Sequence, residues 1–533
     1  LLLSNLPASP LDEWVGAFAP TASDLEHITH QLIEREVPLS TRELLLLILE
    51  RQIAEEQARV RAAAVGDASP YLPGGTFSVG QTLSFPALRF AIGRVAETRV
   101  GSNPLAGSFQ VITVDFADGK RREFAAQVES HPLNSKPTTM NGGSDSIANQ
   151  EPGALADAFA TRLEQRLDAA LDGTGKLLRI SGKWFSRDLL VQVDQHQLNL
   201  AEAALDMAGG GPLSTEQIAP QIDLPTGVNS KLMVFSLAHA LHRDDRFDEV
   251  GPTGEVLWYL NRLEPDEVLH PPRMLQPAQP TVRGAALTPE LRRLAMELDD
   301  EYSEHAHPAN GETQVRLVLT YPHRRAGTLP LTPRLAAVFP TARISPRVKI
   351  TLVDGHTGKQ HPGWVVRRER FVWGLGPIFA QYETPAGSFL SVARGEQVGE
   401  YVVTVETRRP VADWLRSANA PQGQLRFSMS KRSLGVQYMD ELVILAESME
   451  QLDILRARNE QQATSLEQLV QDVFRELVKL TPQGTVHAKT LYGAVNIARR
   501  ATPESIFAEL VQRPSFVHVG DAYWRFESQA AAA

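Results

Sequence analysis

The chain has 533 residues, too many for one hydrophobic core, so several domains are expected. Its 43% hydrophobic and 22% charged residues, with 37 glycines and 35 prolines, exclude disordered and fibrous classes. The absence of cysteine excludes disulfides, iron–sulfur clusters, cysteine zinc sites and thiol nucleophiles. No apolar run approaches the roughly 20 residues of a membrane span, the longest being Leu44–Leu49. Leu1–Leu3 lacks the basic flank and the length of a signal peptide. These features predict a cytoplasmic chain without membrane contact that starts upstream of Leu1. Residues 1–66 read as helices, with capping boxes at Ser23/Glu26 and Ser40/Glu43. Residues 70–133 read as a small barrel of short strands, with Asp118-Gly119 as a hairpin signal. A polar linker follows over 134–152, and a proline-rich boundary lies at Pro271–Pro280. Helical structure is expected over 153–265, a helix plus strands over 287–410, and over 436–533 one long helix or two consecutive ones (Met439–Leu480) leading into a further module.

One order of elements occurs twice. Leu198–Met207, Ser214–Ile222 with a Ser214/Gln217 capping box, and Val228–His242 read as three helices. A hairpin, Phe247–Val250 and Glu255–Tyr259, follows them. At the C-terminus, Leu469–Leu480, Ala488–Ala494 and a helix announced by Thr502-Pro503-Glu504 precede Phe516–Val519 and Tyr523–Phe526. Three helices followed by a hairpin is the winged-helix arrangement, which places its third helix in the DNA major groove. The first unit, residues 198–262, resembles HARE-HTH winged helices, a module also found in a bacterial RNA polymerase delta subunit. Leu213–Ala219 and Gly254–Tyr259 carry that resemblance. Asn229 and Lys231 are its candidate DNA contacts, yet residues 211–262 carry a net charge of −3, which favours a protein-docking role. Residues 479–525 carry +3, and Lys489, Arg499, Arg500 and Arg513 are candidate phosphate contacts there.

Residues 316–410 hold fourteen Lys or Arg against six acidic residues, so this segment is +8 and the remaining 438 residues are −18. A compact domain of that charge attracts polyanions, and the prevalence of arginine suits phosphate forks. A solvated strand face with alternating charges is the plain alternative. Leu329–Leu335, Val348–Leu352 and Gly374–Phe379 leading to Gly395-Glu396-Gln397-Val398 resemble the B3-like DNA-binding pseudobarrel. Members of that family contact the major groove with two arms, whose counterparts are Arg324-Arg325 and Arg367-Arg368 with Arg370. Arg343 and Arg347 complete the candidate phosphate contacts.

The order Val79-Gly80-Gln81, Phe85-Pro86, Gly93-Arg94-Val95 and Val114–Gly119 is similar to Tudor- and KOW-like SH3 barrels and to the polymerase-binding domain of CarD-type factors. That resemblance implies RNA polymerase as a partner, reached by strand addition. A spacer barrel explains the same residues. Catalytic motifs are lacking. Gly175-Lys176 is followed by Leu177, with Ala170 where a Walker glycine belongs, and no nucleophile elbow or His-Glu-x-x-His occurs. His27/His30, His239/His242 and His305/His307 lack a third ligand, and Asp299-Asp300-Glu301 reads as solvated. Leu442, Leu445, Met449, Leu452 and Leu455 could form a homodimer seam, although an internal core helix is the favoured reading of that stripe.

The expected fold is therefore α+β and multidomain, with winged-helix modules and small β-barrels joined by polar linkers. The expected function is a non-catalytic DNA-binding regulator or scaffold, bridging duplex DNA to a protein partner such as RNA polymerase, without metal or cofactor. The recognition subunit of a restriction or defence system, and an adaptor without DNA contact, are the alternatives.

Overall fold

The computed structural model describes residues 10–527 apart from 66–67, 86–87, 89–90, 104–106, 118, 130, 132–133, 135–146, 148–149, 224–226, 278–286, 310 and 343–344. Much of the linker read at 134–152, the end of the proline-rich boundary, and Arg343 thus lie outside the described residues. The fold is α+β and multidomain, with six separate sheets among the described residues. It divides into two compact units, Leu1–Gln192 with Pro225–His239, and Val193–Leu224 with Ala240–Ala533. Among the described residues, no helix is long and apolar enough to cross a membrane.

The first unit opens with α1 (Pro10–Ala17), α2 (Ala22–Arg35), the two-residue β1 (Leu39–Ser40) and α3 (Thr41–Val65). The capping box of α2 is Thr21/Asp24, two residues upstream of the expected Ser23/Glu26, because Thr21 holds the extended backbone that an N-cap requires. The Ser40/Glu43 box forms as expected, with the Ser40 amide donating to Glu43 Oε2 at 2.7 Å. A five-stranded sheet follows: β2 (Ser69–Pro70), β3 (Thr82–Phe85), β4 (Ala91–Asn103), β5 (Gly107–Phe116) and β6 (Arg121–Ala126), paired in chain order. The Gln127 and Val128 amides donate back to the carbonyls of Gly75 and Pro73, and Tyr71 donates to Ala125, which rolls the sheet over its aromatic core. Then come α4 (Pro152–Ala158), α5 (Ala160–Asp172), β7 (Leu177–Ile180) and β8 (Lys183–Ser186). Sheet order β1-β8-β7 makes this a winged helix whose chain is interrupted by the barrel between its second and third helices. Of the helical domain expected over 1–66, the described helices α1–α3 are therefore half of a module completed about 90 residues later, and not a separate domain. Leu44, Leu45, Ile48 and Leu49 pack with Leu163, Leu167 and Leu171 in its core.

The winged helix read at 198–262 is α6 (Gln195–Met207), β9 (Leu213–Ser214), α7 (Thr215–Ile218), α8 (Ser230–His242), β10 (Phe247–Glu249) and β11 (Leu257–Leu260), with sheet order β10-β11-β9. The division between the two units passes through α8, whose Leu232 and Phe235 belong to the core of the first unit.

After α9 (Asp266–Leu269) and α10 (Pro289–Leu298), the second unit builds a seven-stranded sheet. Its elements are β12 (Gln314–Val318), α11 (Tyr321–Ala326), β13 (Thr328–Pro330), α12 (Pro333–Val338), β14 (Arg347–Asp354), β15 (Gln360–Val366), β16 (Phe371–Trp373), α13 (Gly376–Gln381), β17 (Phe389–Arg394) and β18 (Glu400–Val405). The strand order is β12-β17-β18-β14-β15-β16-β13, antiparallel except for β14 against β18. A ribbon follows, β19 (Thr407–Asn419) against β20 (Arg426–Val436), with β21 (Ile444–Ala446) parallel to β19.

Next are α14 (Met449–Gln461) and α15 (Leu466–Val478), so Met439–Leu480 holds two consecutive helices, the second of its two expected forms, with β21 ahead of them inside that span. Leu442, Leu452 and Leu455 are buried in the core of this unit, and Leu445 lies on β21, which breaks the proposed dimer seam. The chain closes with β22 (Thr485–His487), α16 (Ala488–Ala498), α17 (Pro503–Gln512), β23 (Phe516–Gly520) and β24 (Tyr523–Phe526), in sheet order β22-β24-β23.

Among the described residues the winged-helix topology thus occurs three times, and its three sheets share one register. Leu39 faces Trp184, Leu213 faces Trp258, and Val486 faces Trp524. Each indole is at most 6% exposed. Trp184 Nε1 donates to Thr41 Oγ1 at 3.1 Å and Trp258 Nε1 to Thr215 Oγ1 at 2.8 Å. In the third copy Ala488 stands where the threonine would be, and Trp524 Nε1 is buried without a hydrogen-bond partner.

Candidate nucleic-acid interface

The +8 segment is folded so that most of its cations are consumed internally. β14 alternates buried and half-buried positions, which turns Arg347 and Lys349 away from the sheet core. Arg347 meets Asp248 and lies 3.0 Å from Glu264, and Lys349 sits over the rings of Tyr259 and Trp364. Burial pushes the Lys349 amine down. It also drives the Glu264 carboxyl up to about 8, with Asp248 adding to the rise and Arg347 only partly offsetting it. The acidic run that would repel phosphate from a wing is therefore spent on the arginines of this chain: Asp248 on Arg347, and Asp244, 2.7 Å away, on Arg246.

The two expected DNA arms are likewise engaged. Arg324 donates to the Thr384 carbonyl, and Arg325 pairs with Asp453 at 2.5 Å. Arg367 donates to Pro340 O at 2.6 Å, and Arg370 to Glu301 O at 2.7 Å while stacking on Tyr302. Arg316 pairs with Glu406, Arg334 with Glu312 and Asp299, and Arg408 with Asp413, while Arg394 donates to the Val338 and Ala337 carbonyls. Among the described cations of this segment, only Lys359, Arg368 and Arg409 face solvent without a close partner, Arg368 being 3.7 Å from Glu369. The two arms thus do not form a free cationic surface. Physically, a charge imbalance along the sequence has become complementarity in space.

The C-terminal candidates are corrected in the same way. Arg500 is 2% exposed; it donates to Asp300 at 2.8 Å and to Glu301 at 2.7 Å, and Tyr492 donates to Asp300 at 2.6 Å. Asp299-Asp300-Glu301 is thus buried, not solvated. Burial alone would raise Glu301, but Arg500 and His323 beside it bring its carboxyl down to about 2. Burial drives Asp300 up, and Arg500 offsets that only in part. Lys489 pairs with Glu297 at 2.6 Å, Arg513 with Glu509 and Glu467, and Arg499 with the Thr464 carbonyl. The third helix of this module, α17, is buried from Ser505 to Leu510, so no groove can receive it. α8 is similarly enclosed from Leu232 to Ala238 apart from half-buried Val234, leaving Ser230 and Lys231 exposed at its start. Asn229 is used as a cap, accepting from the Lys231 amide at 2.9 Å. No cluster of three or more His, Asp or Glu that could hold a metal occurs among the described residues.

The free cations that cluster lie on a ribbon that starts just before the expected boundary at 410 and runs past it. Residues 407–436 carry six basic residues and one acid. The ribbon is anchored at its turn, where Arg426 pairs with Glu476 and Arg458 donates to the Gly423 carbonyl. Its other end joins the seven-stranded sheet through Val436. Away from the turn the ribbon is open to solvent: Arg409, Val411, Ala412, Trp414, Met429, Lys431, Arg432 and Ser433 are exposed, whereas nearer the turn Leu415, Ser417, Ala418 and Phe427 are buried. The side chains of Arg409, Lys431 and Arg432 make no ion pair or hydrogen bond with a described residue, while Asp413 is held by Arg408 and Tyr438. The overlooked signal was available as Lys431-Arg432 and Arg408-Arg409 around an isolated Trp414 in a strand-like stretch. Comparisons of the chain with protein-family models, curated proteins and solved structures return no match.

Proposed function

We propose that this protein is a non-catalytic scaffold that binds nucleic acid, and that the contact runs through the β19–β20 ribbon instead of a recognition helix. One observation carries the reading: the ribbon holds unpaired cations at a solvent-exposed site in a unit whose other arginines are largely neutralised. A two-stranded antiparallel ribbon also has dimensions that fit a DNA major groove. In this scheme the winged helices serve as packing and protein-docking modules, and the barrel within the first is the natural place for a partner such as RNA polymerase. Fluorescence anisotropy with a 25-base-pair duplex tests it. Binding should weaken with salt at a slope of roughly −2 to −3 in log–log form for about three phosphate contacts. Lys431→Glu with Arg432→Glu should abolish binding, and full affinity in that variant would overturn the assignment. The adaptor reading, without nucleic acid, is the second, favoured by the burial of α8 and α17.

A further inference from the structure

Of the seven tryptophans, six are buried or half-buried and Trp414 is 65% exposed. It projects from β19 directly opposite Lys431 on β20, with Ala412 opposite Ser433 as the neighbouring pair on the same face. Opposed residues of this kind bring their Cβ atoms to about 5 Å, so the two side chains leave the ribbon side by side. Arg432 and Val411, 51% exposed, lie on the other face, and Arg409 is near the irregular end of the ribbon. Reading base edges in a groove takes polar forks such as Arg, Asn or Gln at the centre of the contact. Here the centre is an indole beside small residues, with cations at its border. That is the chemistry of a stacking platform, where an aromatic ring takes the face of a base and nearby cations follow the backbone.

We infer that Trp414 and Lys431, on one face of the ribbon, form a binding site for unpaired polynucleotide, the indole stacking on one exposed base, while Arg432 on the other face and Arg409 at the irregular end attract the rest of the strand's backbone. This rests on the nucleic-acid reading above and sharpens it, because it predicts preference for a single strand over a duplex. Two sources share this chemistry, single-stranded DNA and single-stranded RNA. The full chain is titrated with fluorescein-labelled dT25, U25 and a mixed 25-base-pair duplex, following anisotropy and intrinsic tryptophan emission.

The expected result is tighter binding of a single strand than of the duplex, with quenching by unlabelled strand that Trp414→Leu removes. Trp414→Ala should lower single-strand affinity about tenfold or more, and Trp414→Phe should keep most of it. Lys431→Ala with Arg432→Ala should reduce the salt slope by roughly 1.4 for a single strand. The comparison of dT25 with U25 identifies which source is preferred. Equal binding of strand and duplex, unaffected by Trp414→Ala, would overturn the stacking site and leave the scaffold reading standing. Absence of binding to all three probes would overturn both and assign the exposed indole to a protein partner.

Discussion

Replacing Arg500 with leucine tests the strongest structural statement about the C-terminal module. Its guanidinium is 3% exposed and serves two carboxylates, Asp300 at 0% and Glu301 at 3% side-chain exposure. Removing it leaves adjacent buried acids with the Tyr302 amide and Tyr492 on Asp300 and His323 on Glu301, so two carboxylates lose their shared guanidinium. Breaking a buried pair from one side costs about 3–5 kcal/mol, most of it the penalty of an uncompensated charge. At roughly 2 °C per kcal/mol for a large unit, the melting temperature should fall by at least about 6 °C. Differential scanning calorimetry of the full chain reads this directly. Neutralising all three groups together, Arg500→Met with Asp300→Asn and Glu301→Gln, should recover most of the loss, since an uncharged set has nothing left to compensate. A loss below about 1 kcal/mol for Arg500→Leu would refute the reasoning. It would return Arg500 to the pool of candidate ligand contacts.

Three other outcomes are expected. Glu264 has a folded-state carboxyl near 8 against about 4.5 when exposed, so between those values the native state holds a proton that the unfolded chain has released. Stability of the second unit should therefore fall as pH rises from about 5 to 8, by at most about 1.4 kcal/mol per pH unit. Urea titrations at several pH values should show Glu264→Gln flattening that trend. Thr215→Val should cost about 1–3 kcal/mol by orphaning the buried Trp258 indole N–H, and Thr41→Val should do the same to Trp184. The third copy already lives without this bond, so chemical denaturation can rank the three. Finally, Arg368→Ala and Lys359→Ala should leave duplex affinity and its salt slope unchanged in anisotropy titrations, whereas Arg409→Ala should lower the slope by about 1.

Local chemistry in the sequence was enough to place the second and third winged helices. Capping pairs such as Ser214/Gln217, the proline after Thr502, and turn residues between short strands act within a few residues and need no knowledge of the rest. The first copy stayed hidden because its halves are separated by a whole barrel, although Pro38-Leu39-Ser40-Thr41 repeats in Pro212-Leu213-Ser214-Thr215. That tetrapeptide supplies the edge strand, the cap and the indole acceptor of one module, so its recurrence carries structural meaning. The ribbon of β19 and β20, almost wholly past the expected boundary at 410, was also missed. Short or polar strands take their identity from pairing partners, which local pattern does not encode.

The sequence by itself determined where cationic and acidic residues are concentrated: +8 over 316–410 and −18 elsewhere. Only the tertiary structure decided which of those charges meet. Coulomb attraction between near neighbours is strong where water is excluded and weak across solvent, so docking of acidic side chains such as Asp248, Glu301 and Asp453 onto the arginines removed most of the apparent site. The same folding left Arg409, Lys431 and Arg432 in water on a ribbon beside an exposed indole. Availability to a ligand is a property of neighbours in space, and neighbours along the chain are a poor guide to it.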